Sequence, residues 1–299
     1  MSTSSILYDA PGPKARRLSR VVSVISAVVI GGGFAWLLWS LGQPRVTVNG
    51  ATLTGLWSPE RWDIFGDPRV WKRLLFDGLL LGTLRAAGLA AVLSLVFGVL
   101  LCFARTAPQA WVRTPAAVLL EFFRGMPVLL MMLFILLALG TGGFTAVVLA
   151  LTLYNGSVIG EALRAGLAAL PKGQREAGLS LGLTSFQTRL LVEFPQAFRQ
   201  MLPIIVAQLV VLLKDTSLAY VVSYPEILRV SYQLKDYYGS TRYSFSLFIV
   251  VLLTYLAVNL ALSAVARWLA RRSGPREGAL DVGASAVRLP DAGVGGGVV

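Results

Sequence analysis

Histidine is absent from this 299-residue chain, and cysteine occurs once, at Cys102. The missing histidine removes the usual general base, the commonest metal ligand and any Ser-His-Asp triad. A single cysteine excludes an intramolecular disulfide, a zinc cluster and a redox pair, so we expect no metal site. Charged residues make up only 14% of the chain, whereas hydrophobic residues make up 56%. This composition indicates an integral membrane protein.

Apolar windows long enough to cross a hydrocarbon core of ~30 Å recur along the chain. They predict an all-α integral membrane protein with about six transmembrane helices. The windows lie near residues 21–42, 79–104, 115–140, 143–165, 204–223 and 244–268. The first window is longer than the roughly 7 to 15 apolar residues of a signal-peptide core, so we interpret it as a retained transmembrane helix.

The net charge of +12 follows the predicted topology. Basic residues cluster before the first window, between the second and third, between the fourth and fifth, and after the sixth. With six spans these segments share one side of the membrane, which the positive-inside rule makes the cytoplasm. We therefore expect cytoplasmic tails at 1–20 and 273–299, the latter disordered, and an extracellular segment at 43–77. The charge excess is topological and does not indicate nucleic-acid binding.

A charged stretch at 171–203, which we call the polar loop, separates the fourth and fifth windows. Its charged residues are too costly to place in hydrocarbon, so it lies in water. Gly182 predicts a left-handed turn between two short helices, and Thr184 with Gln187 predicts a capping box. Pro195 is expected to end the second helix. On position alone, the stretch is an ordinary basic cytoplasmic loop.

Several residues of the polar loop resemble the coupling loop of ATP-binding-cassette importer permeases, which reads E-A-A, three residues, G, nine residues, I-x-L-P. The matching residues are Glu176, Ala177, Gly178, Gly182, Val192, Phe194 and Pro195. Gly178 replaces the second alanine of the pattern and is expected to loosen the first helix by roughly 0.5 to 1 kcal/mol. The resemblance implies that Glu176, Ala177, Gly178, Gly182 and Pro195 couple the chain to a separate ATPase.

Polar residues within the apolar windows form a second group of candidates, because such groups need a partner or a wet cavity at membrane depth. The fourth window contributes Asn155, Ser157 and Glu161, and the fifth contributes Lys214, Asp215, Thr216 and Ser217. We expect these residues to line a substrate path or to form an intramembrane polar network. For the residues around Lys214 and Asp215 the alternative is a buried structural ion network between subunits, and for Ser157 it is helix packing.

Two further motifs resemble polar amino-acid permeases of the same class. The run L-K-D-T-S-L around Lys214 matches their hallmark, and E-F-F-R-G-M-P at 121–127 matches E-x-x-R-G-x-P. The opening residues resemble actinobacterial glutamate-uptake permeases. The resemblance implies a five-helix type I importer permease core within 78–272, preceded by an accessory helix at 21–42. It also implies import of a polar amino acid, with glutamate favoured.

The chain has no GxxxxGK[ST] phosphate loop, so we do not expect an enzyme or a bound cofactor. The resemblance implies a separate ATP-binding subunit that holds ATP and Mg, and an extracellular solute-binding protein. It also implies a second permease subunit, which we expect to be a distinct homologue rather than another copy of this chain. Two alternatives remain: an ATP-independent secondary transporter with Glu161, Lys214 and Asp215 as an ion relay, and an importer of basic amino acids or glutamine.

Overall fold

The computed structural model describes residues 12–46 and 52–273, and within them the chain is predominantly helical. The helices are α1 Pro13–Leu41, α2 Pro68–Arg105, α3 Ala110–Gly125, α4 Val128–Ala138, α5 Gly143–Ala168, α6 Lys172–Ser180, α7 Ser185–Tyr220, α8 Ile227–Tyr237 and α9 Ser244–Ser273. Short antiparallel strands, β1 Arg45–Val46 and β2 Thr52–Leu53, pair after α1. Residues 1–11 and 274–299 of the two expected tails lie outside the described residues.

The all-α membrane fold is confirmed, with one correction to the third span. In the described part of the chain, α1, α2, α5, α7 and the helix that includes α9 are each long and apolar enough to cross a membrane. The window at 115–140 is not one continuous helix, since α3 and α4 meet at an angle of 105°. Met126 lies between them in an extended conformation, φ −85° and ψ 130°. Pro127 explains the break, because a proline disfavours helical backbone in the preceding residue.

The prediction that Pro195 ends the second helix of the polar loop was wrong. The helix runs through this proline, because a π-helical turn over Arg189–Glu193 precedes it. The Phe194 N–H donates to the carbonyl of Arg189, five residues back. This wider turn accommodates a ring that would clash in a regular α-helix. Helix α7 therefore continues to Asp215 and ends as a 3₁₀ turn over Thr216–Tyr220.

The chain folds as two compact units, each assembled from three separate stretches. One comprises Met1–Gly88, Met132–Val148 and Asp215–Ala257, and the other comprises Leu89–Met131, Leu149–Lys214 and Val258–Val299. In the first unit, Ile227 and Val230 on α8 belong to the same buried cluster as Val70 and Leu74 on α2. The boundary between the units thus falls between two adjacent residues: Lys214 belongs to one unit and Asp215 to the other.

In the second unit, α2 and α5 pack closely where both helices carry glycine. A Cβ built on Gly98 would lie 2.9 Å from the carbonyl oxygen of Gly156, and one on Gly160 would lie 3.0 Å from the carbonyl oxygen of Gly98. Small residues permit this close approach of helix backbones. Ser94 strengthens the contact, because its hydroxyl donates to the carbonyl of Leu151 at 3.4 Å.

Candidate functional site

The polar loop forms the helix pair that its sequence predicts. Gly182 has φ +80°, which confirms the left-handed turn. Two hydrogen bonds close the end of α6: Gly182 N–H donates to the carbonyl of Leu179 at 3.0 Å, and Leu183 N–H donates to that of Gly178 at 3.2 Å. These bonds form a Schellman motif. The capping box of Thr184 and Gln187 is also present at the start of α7.

Gly178 lies where the two helices of the polar loop touch. It is buried against Thr188, and a Cβ at this position would lie 2.5 Å from the Thr188 Cγ2 and 3.0 Å from its Oγ1. A methyl group here would overlap the β-branched side chain of Thr188. The glycine that departs from the E-A-A pattern therefore permits the close contact of α6 with α7.

The outer surface of the polar loop presents both charge and apolar area. Glu176 and Ala177 are exposed on α6. Leu181 is 82% exposed at the turn, and Phe186 is 60% exposed at the start of α7. Large apolar side chains grouped on a polar segment are typical of a surface that a protein partner covers.

Hydrogen bonds fix the polar loop to its own unit. The Arg189 guanidinium donates to the carbonyl of Thr106, in the turn between α2 and α3. The Gln196 side chain on α7 donates to the Gln174 side chain on α6 at 3.3 Å. These bonds connect α6 to α7 and α7 to the α2–α3 turn, so the polar loop is a structured part of this unit.

Asn155 is fully buried in α5 and has partners for both ends of its amide. Its Nδ2 donates to the carbonyl of Leu151 at 2.8 Å, and its Oδ1 accepts from Gln208 Nε2 on α7 at 2.8 Å. The Ser157 hydroxyl donates to the carbonyl of Leu153 at 2.6 Å, within its own helix. Asn155 thus joins α5 to α7 in a polar contact, as a helix-packing network does.

Glu161 lies between two arginines of the same unit. Its Oε1 is 2.6 Å from Arg164 Nη2, and its Oε2 accepts from Arg164 Nε at 2.9 Å. Arg105 Nη2 lies 3.6 Å from Oε2. A fork of two hydrogen bonds fixes the carboxylate orientation. The three charged groups on α2 and α5 form a compact ion cluster.

The L-K-D-T-S-L motif lies where α7 changes its helical geometry. Lys214 is exposed on the last α-helical turn, Asp215 ends that turn, and the 3₁₀ turn begins at Thr216. The Thr216 hydroxyl is fully buried and lies 3.4 Å from Tyr255 Oη on α9. Ser217 follows in the 3₁₀ turn, partly buried. Of the predicted residues, Asn155, Ser157, Glu161 and Lys214 lie in one unit and Asp215, Thr216 and Ser217 in the other.

Glu226 is a buried residue that the sequence analysis missed. It caps the amino terminus of α8: Oε2 accepts from Leu228 N–H at 2.9 Å and Oε1 from Arg229 N–H at 2.6 Å. Tyr255 Oη donates to Oε2 at 2.8 Å. Burial raises the pKa of Glu226 to about 7, against the opposing effect of these hydrogen bonds. Its place before an apolar helix was a usable cap signal, but glutamate is not among the preferred capping residues.

The turn around Glu226 packs tightly on the π-helical part of α2, Lys72–Leu84. A Cβ on Gly82 would lie 2.4 Å from the carbonyl oxygen of Pro225, and Tyr224 Oη donates to the Gly82 carbonyl at 3.0 Å. Ile227 N–H donates to the Thr83 hydroxyl at 3.3 Å. Gly82 is therefore required for the close approach of this turn to α2.

Residues 91–274, which contain the polar loop and the L-K-D-T-S-L motif, match the family described as the binding-protein-dependent transport system inner membrane component. The chain belongs to this family. It is similar to the glutamate transport system permease protein GluD of Corynebacterium glutamicum, with 36% identity over 242 residues that cover 78% of this chain and 87% of the relative. It is also similar to the probable glutamine ABC transporter permease protein GlnP of Bacillus subtilis, with 38% identity over 64% of this chain and 90% of that protein.

Solved structures with a similar fold come from transporters as well. One is a crystal structure of an amino acid ABC transporter with histidines, at a TM-score of 0.60 and 26% identity, which covers 68% of this chain and 95% of that one. Another is an inward-facing MetNI methionine ABC transporter, at a TM-score of 0.52 and 20% identity, which covers 73% of this chain and 99% of that one. The second likeness concerns the fold alone.

Proposed function

We propose that this permease imports polar amino acids, with glutamate as the favoured substrate. The similar permeases are named for glutamate in Corynebacterium glutamicum, for glutamine in Bacillus subtilis and for glutamate and aspartate in Escherichia coli. The match to GluD extends over 78% of this chain, more than the family model itself covers. This longer match favours glutamate over glutamine.

The continuity of α7 is the observation that carries the proposed coupling mechanism. A helix of 36 residues runs from the polar loop to the L-K-D-T-S-L motif without ending at Pro195. A separate ATP-binding subunit, which holds ATP and Mg, contacts the surface that includes Glu176, Ala177 and Leu181. When nucleotide binding moves that subunit, the displacement passes along α7 toward Lys214. The polar loop and both termini are then cytoplasmic.

The exposed apolar side chains of the polar loop support this docking assignment. Leu181 and Phe186 lie on a segment that also exposes charged residues, among them Lys172, Arg175 and Glu176. In the coupling loop, Gly178, Gly182 and Pro195 act through shape: a close helix contact, a left-handed turn and a widened helical turn. Glu176 supplies the charge that the ATP-binding subunit recognises.

A single chain supplies only part of the importer. The complete assembly contains a second permease subunit, which we propose is a distinct homologue, and an extracellular solute-binding protein. Within this chain, Lys214, Asp215, Thr216 and Ser217 contribute to the translocation path. The internal hydrogen bonds of Asn155, Ser157 and Glu161 favour a supporting polar network for those three residues instead.

Reconstitution tests the proposed function. The chain is co-expressed with its partner subunits, and uptake of labelled glutamate is measured in proteoliposomes with internal ATP. We expect ATP-dependent uptake, and we expect Glu176→Lys to abolish it while the permease still inserts in the membrane. Glu60→Lys is the matched control, because Glu60 is an exposed glutamate before α2, outside the polar loop.

Three outcomes would each contradict part of the proposal. Normal uptake by the Glu176→Lys variant would remove the docking assignment. Gradient-driven uptake by the purified chain alone, without ATP, would identify a secondary transporter instead. Unchanged uptake and unchanged complex yield after Lys214→Ala would show that Lys214 belongs neither to the path nor to the assembly.

A further inference from the structure

Charged residues line one face of α2 at regular intervals of four. They are Arg73, Asp77 and Arg85, with Leu81 in the intervening position. The helix is π-helical over Lys72–Leu84. Its hydrogen bonds span five residues, so each turn is wider than the 3.6 residues of an α-helix. Side chains four apart lie on roughly the same face of the helix.

This row forms one wall of a cavity of about 410 Å³ within the first unit. All four residues of the row line it. The other lining residues include Gln233 on α8 and the aromatic residues Tyr224 and Phe144. Aromatic and aliphatic walls with a few convergent polar groups are typical of a small-molecule site.

The charges in the cavity remain available for a ligand. Among the described residues, no ion pair within 4.0 Å joins Asp77 to Arg73 or to Arg85. The Arg85 guanidinium lies 4.9 Å from the centre of the Phe144 ring, which orients it without neutralising it. Both arginines are exposed, and Asp77 is partly buried. Two cationic groups therefore flank one anionic group along the row.

We propose that this cavity binds an amino acid that carries a second carboxylate, such as glutamate. The α-ammonium and α-carboxylate leave the same carbon, so they pair with the neighbours Asp77 and Arg73. The side-chain carboxylate then reaches toward Arg85, because guanidinium groups bind carboxylates through paired hydrogen bonds. This inference rests on the proposed function and names the groups that distinguish glutamate from glutamine.

The cavity also lies at a depth suited to a site that receives the amino acid from the solute-binding protein. Arg73 and Asp77 precede the apolar window at 79–104, whereas Arg85 lies near the start of that window. In the proposed topology this end of α2 faces the outside, where the solute-binding protein releases its ligand. The amino acid would meet the cavity before it reaches the L-K-D-T-S-L motif.

Direct binding separates the roles of these side chains. The complete complex is placed in nanodiscs without the solute-binding protein, and binding of labelled L-glutamate and L-glutamine is measured. Because a charge-assisted hydrogen bond is lost, Arg85→Gln should weaken glutamate binding by about tenfold or more and glutamine binding by less than about twofold. Asp77→Asn should weaken both ligands. Lys72→Gln is the matched control, since Lys72 is exposed on the same helix and does not line this cavity.

A charge-preserving variant guards against a folding defect. Arg85→Lys keeps the positive charge and should retain most of the preference for glutamate, whereas Arg85→Gln should lose it at the same complex yield. Absence of glutamate binding to the wild-type complex, or equal loss of both ligands in Arg85→Gln, would overturn the proposed site.

Failure of this site is distinguishable from failure of the proposed function. A wild-type complex that imports no polar amino acid would contradict the function itself. Normal import with glutamate binding that none of the variants changes would contradict only the site. If the variants bind both ligands normally but lose stimulation of ATP hydrolysis by the solute-binding protein, the row contacts that protein and the ligand site is overturned.

Discussion

A methyl group added at Gly178 tests how the polar loop is built. In Gly178→Ala, the new Cβ would lie 2.5 Å from Thr188 Cγ2, whereas carbon atoms in good contact are about 3.5 to 4.0 Å apart. Overpacking of a buried contact costs about 1–3 kcal/mol. The higher helix propensity of alanine returns at most about 1 kcal/mol. Because an approach of 2.5 Å is a severe overlap, the cost lies at the upper end of this range, and we expect a net destabilisation of about 2 kcal/mol, concentrated in the α6–α7 contact.

A second substitution should rescue the first. Thr188→Ala removes both atoms that lie within 3.0 Å of the new Cβ and leaves the Thr188 Cβ at 3.3 Å. It also removes the buried Thr188 Oγ1, which has no hydrogen-bond partner among the described residues. An unsatisfied buried hydroxyl is itself costly. The double variant should therefore be at least as stable as the wild type.

The assay is a double-mutant cycle with two readouts. The apparent melting temperature of the detergent-solubilised complex reports stability, and ATP hydrolysis stimulated by the solute-binding protein reports coupling. Gly178→Ala should lower both, and Gly178→Ala with Thr188→Ala should restore both. The reasoning is refuted if Gly178→Ala matches the wild type, or if the double variant is no better than Gly178→Ala alone.

Three further predictions concern the two units. Burial raises the pKa of Glu226 from 4.5 to about 7, so between these pH values the folded state retains a proton that the unfolded chain releases. Stability should therefore fall as pH rises from about 4.5 to 7. Glu226→Gln should flatten this pH dependence of the melting temperature. Asn155→Leu should cost about 1–3 kcal/mol by removing the partner of Gln208, and the double variant with Gln208→Leu should recover most of that stability; no recovery would exclude a simple pairing. Gly98→Ala should lower complex yield because its Cβ would meet a backbone carbonyl at 2.9 Å, whereas Gly88→Ala, with nothing within 4 Å, should not.

The local signals of the polar loop were readable from sequence because they depend on adjacent residues. Gly182 and the capping box of Thr184 and Gln187 appear as predicted. Pro195 misled the prediction, because the clash of its ring depends on whether the preceding turn is regular or widened. The effect of Gly178 was likewise misjudged. Helix propensity describes an isolated helix, whereas the side chain tolerated at this position depends on Thr188 across the α6–α7 contact.

The tertiary partners of the polar residues needed the structure. The sequence showed that Asn155 and Glu161 require partners at membrane depth, but not that Gln208 and Arg105 supply contacts from other helices. The charged row of α2 escaped notice for a related reason. The spacing of Arg73, Asp77 and Arg85 shows that they share one helix face, but only the structure shows that α8 and the turn before it close a cavity over that face.

The geometry of α7 fits the proposal that one helix serves both coupling and transport. At 1.5 Å per residue, its 36 residues extend over roughly 50 Å, whereas a hydrocarbon core is ~30 Å thick. The excess length lets one rod begin in the polar loop at Ser185 and still reach membrane depth. A helix that ended at Pro195 would transmit displacement through a flexible joint, whereas in the widened turn the Phe194 N–H still donates to the Arg189 carbonyl and the helix continues past the proline. The rod changes to 3₁₀ geometry at Thr216, immediately after the point between Lys214 and Asp215 where the chain passes from one unit to the other. In the proposed mechanism, the charged pair of the L-K-D-T-S-L motif thus occupies the position where motion of the rod in the second unit passes to the first unit.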